Sequence, residues 1–181
     1  MDLFIFLQME LNKIYFYTAS ILNWSNLLEP EKYKNVIIDS LKYLVDHRKV
    51  KVYGFVIMPN HIHLIWEMIE LNGKEMPHAS FMKYTSHVIQ KDLKENHQDI
   101  LELFKVQKVE RKYQFWQREA LPVWLYSPEV VYQKLDYLHN NPCQGKWMLA
   151  DSPILYKYSS ALFYETGNNE FPFLSHIGDR I

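Results

Sequence analysis

Cysteine occurs once in this 181-residue chain, at Cys143. An internal disulfide framework and a zinc site built from several cysteines are therefore excluded, and a reducing cytoplasm is the expected setting. Glycine is scarce, with five residues. Neither common Gly-rich phosphate loop occurs, which argues against a nucleotide-cradling enzyme. No apolar stretch reaches the ~20 residues a membrane span needs. The opening apolar run is too short for a secretory signal and lacks its basic start, so no membrane partner is expected. Met9 is an alternative start, which would make residues 1–8 an extension. A charge excess is missing too. Twenty Lys and Arg stand against 21 Asp and Glu, a net charge of -1, so the whole chain is not the polycation that advertises nucleic acid.

What is present is an ordinary globular composition, 48% hydrophobic and 23% charged. The length suits a single domain over residues 1–181. With 13 tyrosines in the chain, no one tyrosine is distinctive by itself. Residues 14–22 are β-branched and aromatic and predict a strand. Pro30 opens a helix whose Tyr33, Ile37, Leu41, Leu44 and Val45 recur at helical spacing. Residues 50–58 and 61–68 predict two antiparallel strands joined by a Pro59-Asn60 turn. Ser80 is expected to cap a helix to Asn96, with Phe81, Tyr84, Val88 and Leu93 along its buried stripe. Residues 106–109 and 113–117 predict a hairpin that 121–126 extends or follows. Ser127-Pro128 opens a helix that ends by Pro142. A short helix is expected near residues 159–164. The order predicts an α+β fold: an antiparallel sheet with helices packed on one face, in the manner of split βαβ units.

Within the second central strand, His61 and His63 point the same way because strand side chains alternate. Two imidazoles on one rigid face make half of a metal site. Glu67 shares their face, where a salt bridge at the strand end is expected. In the last long helix Val131, Leu135 and Leu138 form a core stripe. Tyr137, Asn141 and Lys134 cluster on its flank, with Asn141 one turn beyond Tyr137. His139, about 200° round from Tyr137, is expected at the solvent boundary. An amide oxygen can ligate a hard cation, so His61, His63 and Asn141 are candidate ligands for Mg²⁺ or Mn²⁺. A phenol is a poor nucleophile unaided, but against phosphorus it forms a stable ester that conserves the bond for later transfer. The plainer reading leaves Tyr137 as a core-edge tyrosine and Asn141 as a helix stop.

Between Lys105 and Arg118 five basic residues face one acid, Glu110, with Phe115 and Trp116 among them. Basic residues interleaved with aromatics suit phosphates and unstacked bases, and a solvated hairpin beside core aromatics fits the same pattern. Arg111, Lys112, Trp116 and Arg118 are the candidate DNA contacts.

Four segments in order carry a resemblance. They are Met58-Pro-Asn-His-Ile-His-Leu-Ile65, Phe115-Trp-Gln-Arg118, Tyr137-Leu-His-Asn-Asn-Pro142 and Tyr156-Lys-Tyr-Ser-Ser160. Together they resemble the single-tyrosine HUH transposases, most of all the REP-associated tyrosine transposases, over a core of about residues 14–160, with 161–181 as a C-terminal extension. The resemblance implies a ferredoxin-like catalytic domain with a five-strand antiparallel sheet. It implies metal binding by His61 and His63, completed by the amide at Asn141, and a Tyr137 nucleophile. The activity implied is cleavage and rejoining of single-stranded DNA near a hairpin through a 5′-phosphotyrosine, in the cytoplasm, sometimes as a homodimer. A non-catalytic or domesticated nucleic-acid-binding module on the same fold is the alternative. Two segments depart from the family's pattern. Cys143-Gln-Gly-Lys-Trp147 follows Asn-Pro where the family often has Val, a basic residue and Gly-Leu. The first strand runs into Ile21-Leu-Asn-Trp24 instead of a Gly-Asn-type turn.

Overall fold

The computed structural model describes residues 9–117 and 121–181. Six strands are described: β1 (Ile14–Ser20), β2 (Val50–Ile57), β3 (His61–Met68), β4 (Lys105–Lys108), β5 (Arg111–Tyr113) and β6 (Leu121–Trp124). Five α-helices accompany them: α1 (Glu31–Asp46), α2 (Pro77–Asn96), α3 (Gln98–Glu102), α4 (Pro128–Asn140) and α5 (Ala161–Thr166).

The main sheet has the order β2-β3-β1-β6, antiparallel throughout. The unit β1-α1-β2-β3-α2-β6 is thus a ferredoxin-like split βαβ arrangement. The sheet has four strands among the described residues, not five. Beside β2, irregular segments cover the edge instead. Ile57 N–H donates to the Tyr158 carbonyl at 2.9 Å, Ser160 N–H to the Phe55 carbonyl at 3.0 Å and Ser175 N–H to the Val52 carbonyl at 2.9 Å. An uncovered edge would offer unpaired backbone groups to other chains.

Strand alternation divides the core. Tyr15, Tyr17, Ile62, Leu64 and Trp66 face α1 and α2, whose Ile37, Leu41, Phe81 and Ile89 pack on them. Ile14, Phe16, Val56 and Ile65 face the other way, onto Val131, Leu135 and Leu138 of α4. The expectation of helices on one face therefore holds for α1 and α2. Helix α4 adds a layer on the opposite face, because β3 is buried along its whole length and both of its faces need cover. Gly54 permits the close approach: a Cβ there would meet Leu135 Cδ1 at 2.8 Å.

Several local readings shift. Helix α2 begins at Pro77, not after Ser80, and the Ser80 hydroxyl donates to the Pro77 carbonyl inside the first turn. Its buried stripe is Phe81, Thr85, Ile89 and Leu93, with Tyr84 exposed, since spacing by four matches the packing against α1. Strand β5 stops at Tyr113. Ser127 caps α4 as expected, accepting from Val130 N–H, an interaction worth about 1 kcal/mol. Residues 161–181 complete the core: Phe173 and Leu174 join the α1/α2 side and Ile177 joins the α4 side. Among the described residues no helix is long and apolar enough to cross a membrane.

Candidate metal and nucleophile site

The two histidines are fixed by their neighbours before any ligand arrives. The turn that ends β2 places Asn60 beside β3. Its amide nitrogen donates to the Trp24 carbonyl at 3.1 Å, so its oxygen must face His61 Nδ1, 2.7 Å away. His61 therefore carries its proton on Nδ1, leaving the Nε2 lone pair free. Register pairs Thr18 of β1 with His63. His63 Nδ1 donates to Thr18 Oγ1 at 2.8 Å, while Asn141 Nδ2 approaches Nε2 at 3.5 Å. Partners of this kind orient metal-binding imidazoles and set their tautomers.

Both rings are buried, their centroids 4.8 Å apart. Burial lowers the His61 pKa to about 4, partly countered by the nearby Asn141 amide and reinforced by Lys146. Burial, with repulsion from His61 and Lys134, lowers that of His63 to about 3. Neutral imidazoles at physiological pH can donate lone pairs to a cation without first losing a proton.

Helix α4 supplies the rest. Tyr137 is half-exposed, and its ring lies 5.5 Å from the His63 ring and 5.9 Å from Phe16, edge-on to both. Phe16 stacks on His63 at 5.1 Å, so the three rings form one cluster. Lys134 holds its ammonium 5.7 Å from the Tyr137 ring centroid. The Asn141 Oδ1 atom is buried with no hydrogen-bond partner, and an orphaned buried acceptor costs roughly 1–3 kcal/mol. The Nε2 lone pairs of His61 and His63, the latter met only by the Asn141 amide at 3.5 Å, and this oxygen form a three-donor set whose chemistry fits a divalent cation. Among the described residues no three His, Cys, Asp or Glu side chains gather; the third donor here is an amide. All four groups come from one chain, so the arrangement needs no second copy.

The remaining candidates lie elsewhere. Trp116 is a core residue, not an exposed stacking surface. Its Nε1 donates to Thr85 Oγ1 at 3.1 Å, and the chain after β5 turns inward so that Leu22 N–H donates to the Phe115 carbonyl. Arg111 and Lys112 are exposed on β5, and Lys112 sits 5.2 Å over the Tyr113 ring. Arg118 lies outside the described residues. Arg111 also lines a groove of about 960 Å³ between α2 and the hairpin. That groove includes Tyr17, so it opens on the sheet face opposite His63. His139 is buried, not at the solvent boundary, because the segment after Tyr156 packs on α4 and brings Ser160 Oγ to 2.8 Å from Nε2. Glu67 makes the expected ion pair, receiving Arg180 at 3.0 Å.

Asn60, Thr18 and Phe16 were missed by sequence reasoning. Asn60 stood in view inside Pro-Asn-His, read only as a turn. Thr18 required the β1–β3 register, which the sequence alone does not specify.

No protein-family model matches this sequence, and no curated protein matches it significantly. A solved structure described as a REP-associated tyrosine transposase bound to a REP hairpin is similar in three dimensions. It has a TM-score of 0.62 and 14% sequence identity, over 92% of this chain and 86% of that one. At this identity the shared property is the fold: the chain has the fold of that transposase.

Proposed function

We propose that this chain is a single-stranded DNA endonuclease and strand transferase acting through a covalent tyrosine intermediate on hairpin-containing DNA. The observation that carries the reading is the gathering of two imidazoles, an orphaned carboxamide oxygen and a half-exposed phenol. They gather on the fold of a transposase that was solved with a hairpin bound.

Tyr137 is the nucleophile. Its phenolic oxygen bonds to phosphorus as the P–O3′ bond breaks, giving a 5′-phosphotyrosine and a 3′-OH. The phenol proton leaves as the 3′ oxygen takes one up, so charge balances. Attack by a 3′-OH on the phosphotyrosine runs the step backwards and joins strands without an external energy source. His61, His63 and Asn141 would hold a divalent ion, Mg²⁺ or Mn²⁺, which would neutralise charge on the phosphate. Imidazole ligands favour Mn²⁺ on affinity. Lys134 adds fixed positive charge on the approach to Tyr137, where a phosphate gains negative charge in the transition state. Arg111 and Lys112 serve as phosphate contacts away from the reacting centre.

The test is incubation with hairpin single-stranded DNA and Mn²⁺, followed by denaturing electrophoresis. A covalent protein–DNA adduct is expected for the native chain and none for Tyr137→Phe, which should still bind the hairpin. Hairpin binding without an adduct, unaffected by a chelator, would replace this reading with a non-catalytic binding module. Cutting without an adduct would mean that water is the nucleophile.

A further inference from the structure

The two segments that depart from the family's pattern are brought together at His61. Trp24, at the end of the Ile21-Leu-Asn-Trp run, has its ring 6.2 Å from the His61 ring, nearly perpendicular at 71°. Trp147, from Cys143-Gln-Gly-Lys-Trp, lies 5.8 Å from the same imidazole at 53°. Tyr137 is on the other ligand, His63. The candidate metal centre is therefore bordered by the nucleophile against one histidine and by two indoles against the other.

Trp24 is held there at a cost. It is 57% exposed, and both it and Asn23 occupy the left-handed region, with φ of 55° and 57°. That backbone is uncommon for any side chain and rarer for a bulky one, and such strain persists only where surrounding structure enforces it. Three hydrogen bonds do so. Ile21 N–H donates to the Asn60 carbonyl at 2.8 Å, Leu28 N–H to the Pro59 carbonyl at 2.8 Å and Asn60 Nδ2 to the Trp24 carbonyl at 3.1 Å. The turn that orients His61 thus also pins the loop that presents Trp24. An exposed indole fixed in this way is not serving the core. At the second, partly buried indole, Lys146 holds its ammonium 5.0 Å over the Trp147 ring, and Leu149 N–H donates to the Pro142 carbonyl at 2.8 Å, closing that loop.

Flat apolar rings beside a cationic group are the chemistry that binds an unpaired nucleobase with its phosphate. A duplex keeps its base faces stacked and offers nothing to them. We propose that Trp24 and Trp147 form a stacking clamp for one unpaired nucleobase of single-stranded DNA, adjoining the phosphate at His61, with Lys146 on that nucleotide's backbone. This rests on the DNA reading above and adds a subsite to it.

The test uses the full chain and two fluorescein-labelled probes of equal length, a 20-nucleotide oligo-dT and an abasic oligomer that keeps the phosphates but has no bases. Trp24→Ala and Trp147→Ala are each expected to weaken oligo-dT binding about 5- to 100-fold. Both should leave abasic binding within about 2-fold and the salt dependence unchanged, since no phosphate contact is lost. Trp24→Phe, which keeps a ring, should recover most of the affinity. Should Trp147→Ala fail to fold, Trp147→Phe with Trp24→Ala carries the comparison. Native protein that binds oligo-dT, with Trp24→Ala binding it equally well, would overturn the clamp and leave the cleavage reading standing. Equal losses on both probes would also overturn it. Native protein that binds neither probe would overturn the clamp, while the hairpin adduct assay separately decides the cleavage reading.

Discussion

Asn60 holds His61 and Trp24 at once: its side-chain oxygen accepts from His61 Nδ1 at 2.7 Å and its nitrogen donates to the Trp24 carbonyl at 3.1 Å. The carboxamide cannot turn over without breaking both bonds, so the imidazole tautomer is set by a backbone carbonyl on another loop. Asn60→Ala should weaken Mn²⁺ binding by about 10- to 100-fold, the usual effect of losing a group that orients a metal-binding imidazole. Asn60→Asp keeps an acceptor for His61 and should retain most of the affinity. Calorimetric titration with Mn²⁺ checks both.

Gly54 sits under Leu135, two residues before Tyr137. An added Cβ would come within 2.8 Å of Leu135 Cδ1 and 3.5 Å of Ser160 Oγ. Gly54→Ala should therefore push α4 off the sheet, at a cost of about 1–3 kcal/mol for overpacking. Adduct formation should fall further than hairpin binding, because the phenol moves while exposed phosphate contacts do not. Urea denaturation and the adduct assay, run side by side, separate the two effects.

Glu67 lies on the same strand face as the histidines, buried at the far end of β3. It receives Arg180 through Nε at 3.0 Å and Nη2 at 3.0 Å, and the Tyr53 hydroxyl at 2.7 Å. Burial alone would raise its pKa, but these hydrogen bonds and the Arg180 charge win and hold it below the ordinary value. Arg180→Ala strands a buried carboxylate and should cost about 2 kcal/mol, less than a fully buried pair because Arg180 is partly exposed. Glu67→Gln in the same chain should restore part of the loss. Chemical denaturation of the two single variants and the double variant measures the coupling.

Asp92 ties α2 to α1. Its carboxylate accepts from Lys32 at 2.6 Å and from the Tyr33 hydroxyl at 2.7 Å. These bonds, Lys32 first, lower its pKa from 3.8 to about 2. A folded-state pKa below the unfolded one means that unfolding takes up protons. The contribution is therefore complete above pH 3.8 and disappears as pH falls towards 2. Asp92→Asn should cost roughly 1 kcal/mol at neutral pH, a modest figure for a solvent-screened pair. It should also flatten the acid limb of stability across that window, as read from urea midpoints at stepped pH.

Much of the site could be read from local pattern. Strand β3 has its expected bounds, and α4 its expected cap and its Val131, Leu135 and Leu138 stripe. Alternation and helical periodicity are local rules, and they placed His61 with His63 and Tyr137 with Asn141. The misreadings came where burial depends on a distant partner. Phe115 and Trp116 carry the composition of a nucleic-acid surface, yet they pack on Thr85 and against the continuation of β1. His139 lies on the flank away from Tyr137, and only the segment reaching Ser160 buries it.

The sequence by itself determined which residue types exist to do chemistry and how they pair within one strand or one helix, since backbone geometry repeats every two or 3.6 residues. Tertiary structure alone decided that the strand pair and the helix pair meet, that α4 takes the sheet face opposite α1 and α2, and that Trp24 and Trp147 reach one imidazole. Those contacts join residues 37, 74 and 86 positions apart in the chain, far beyond the reach of one strand or one helix. What selects them is the burial of both faces of β3, a property of the assembled layers and not of any window of sequence.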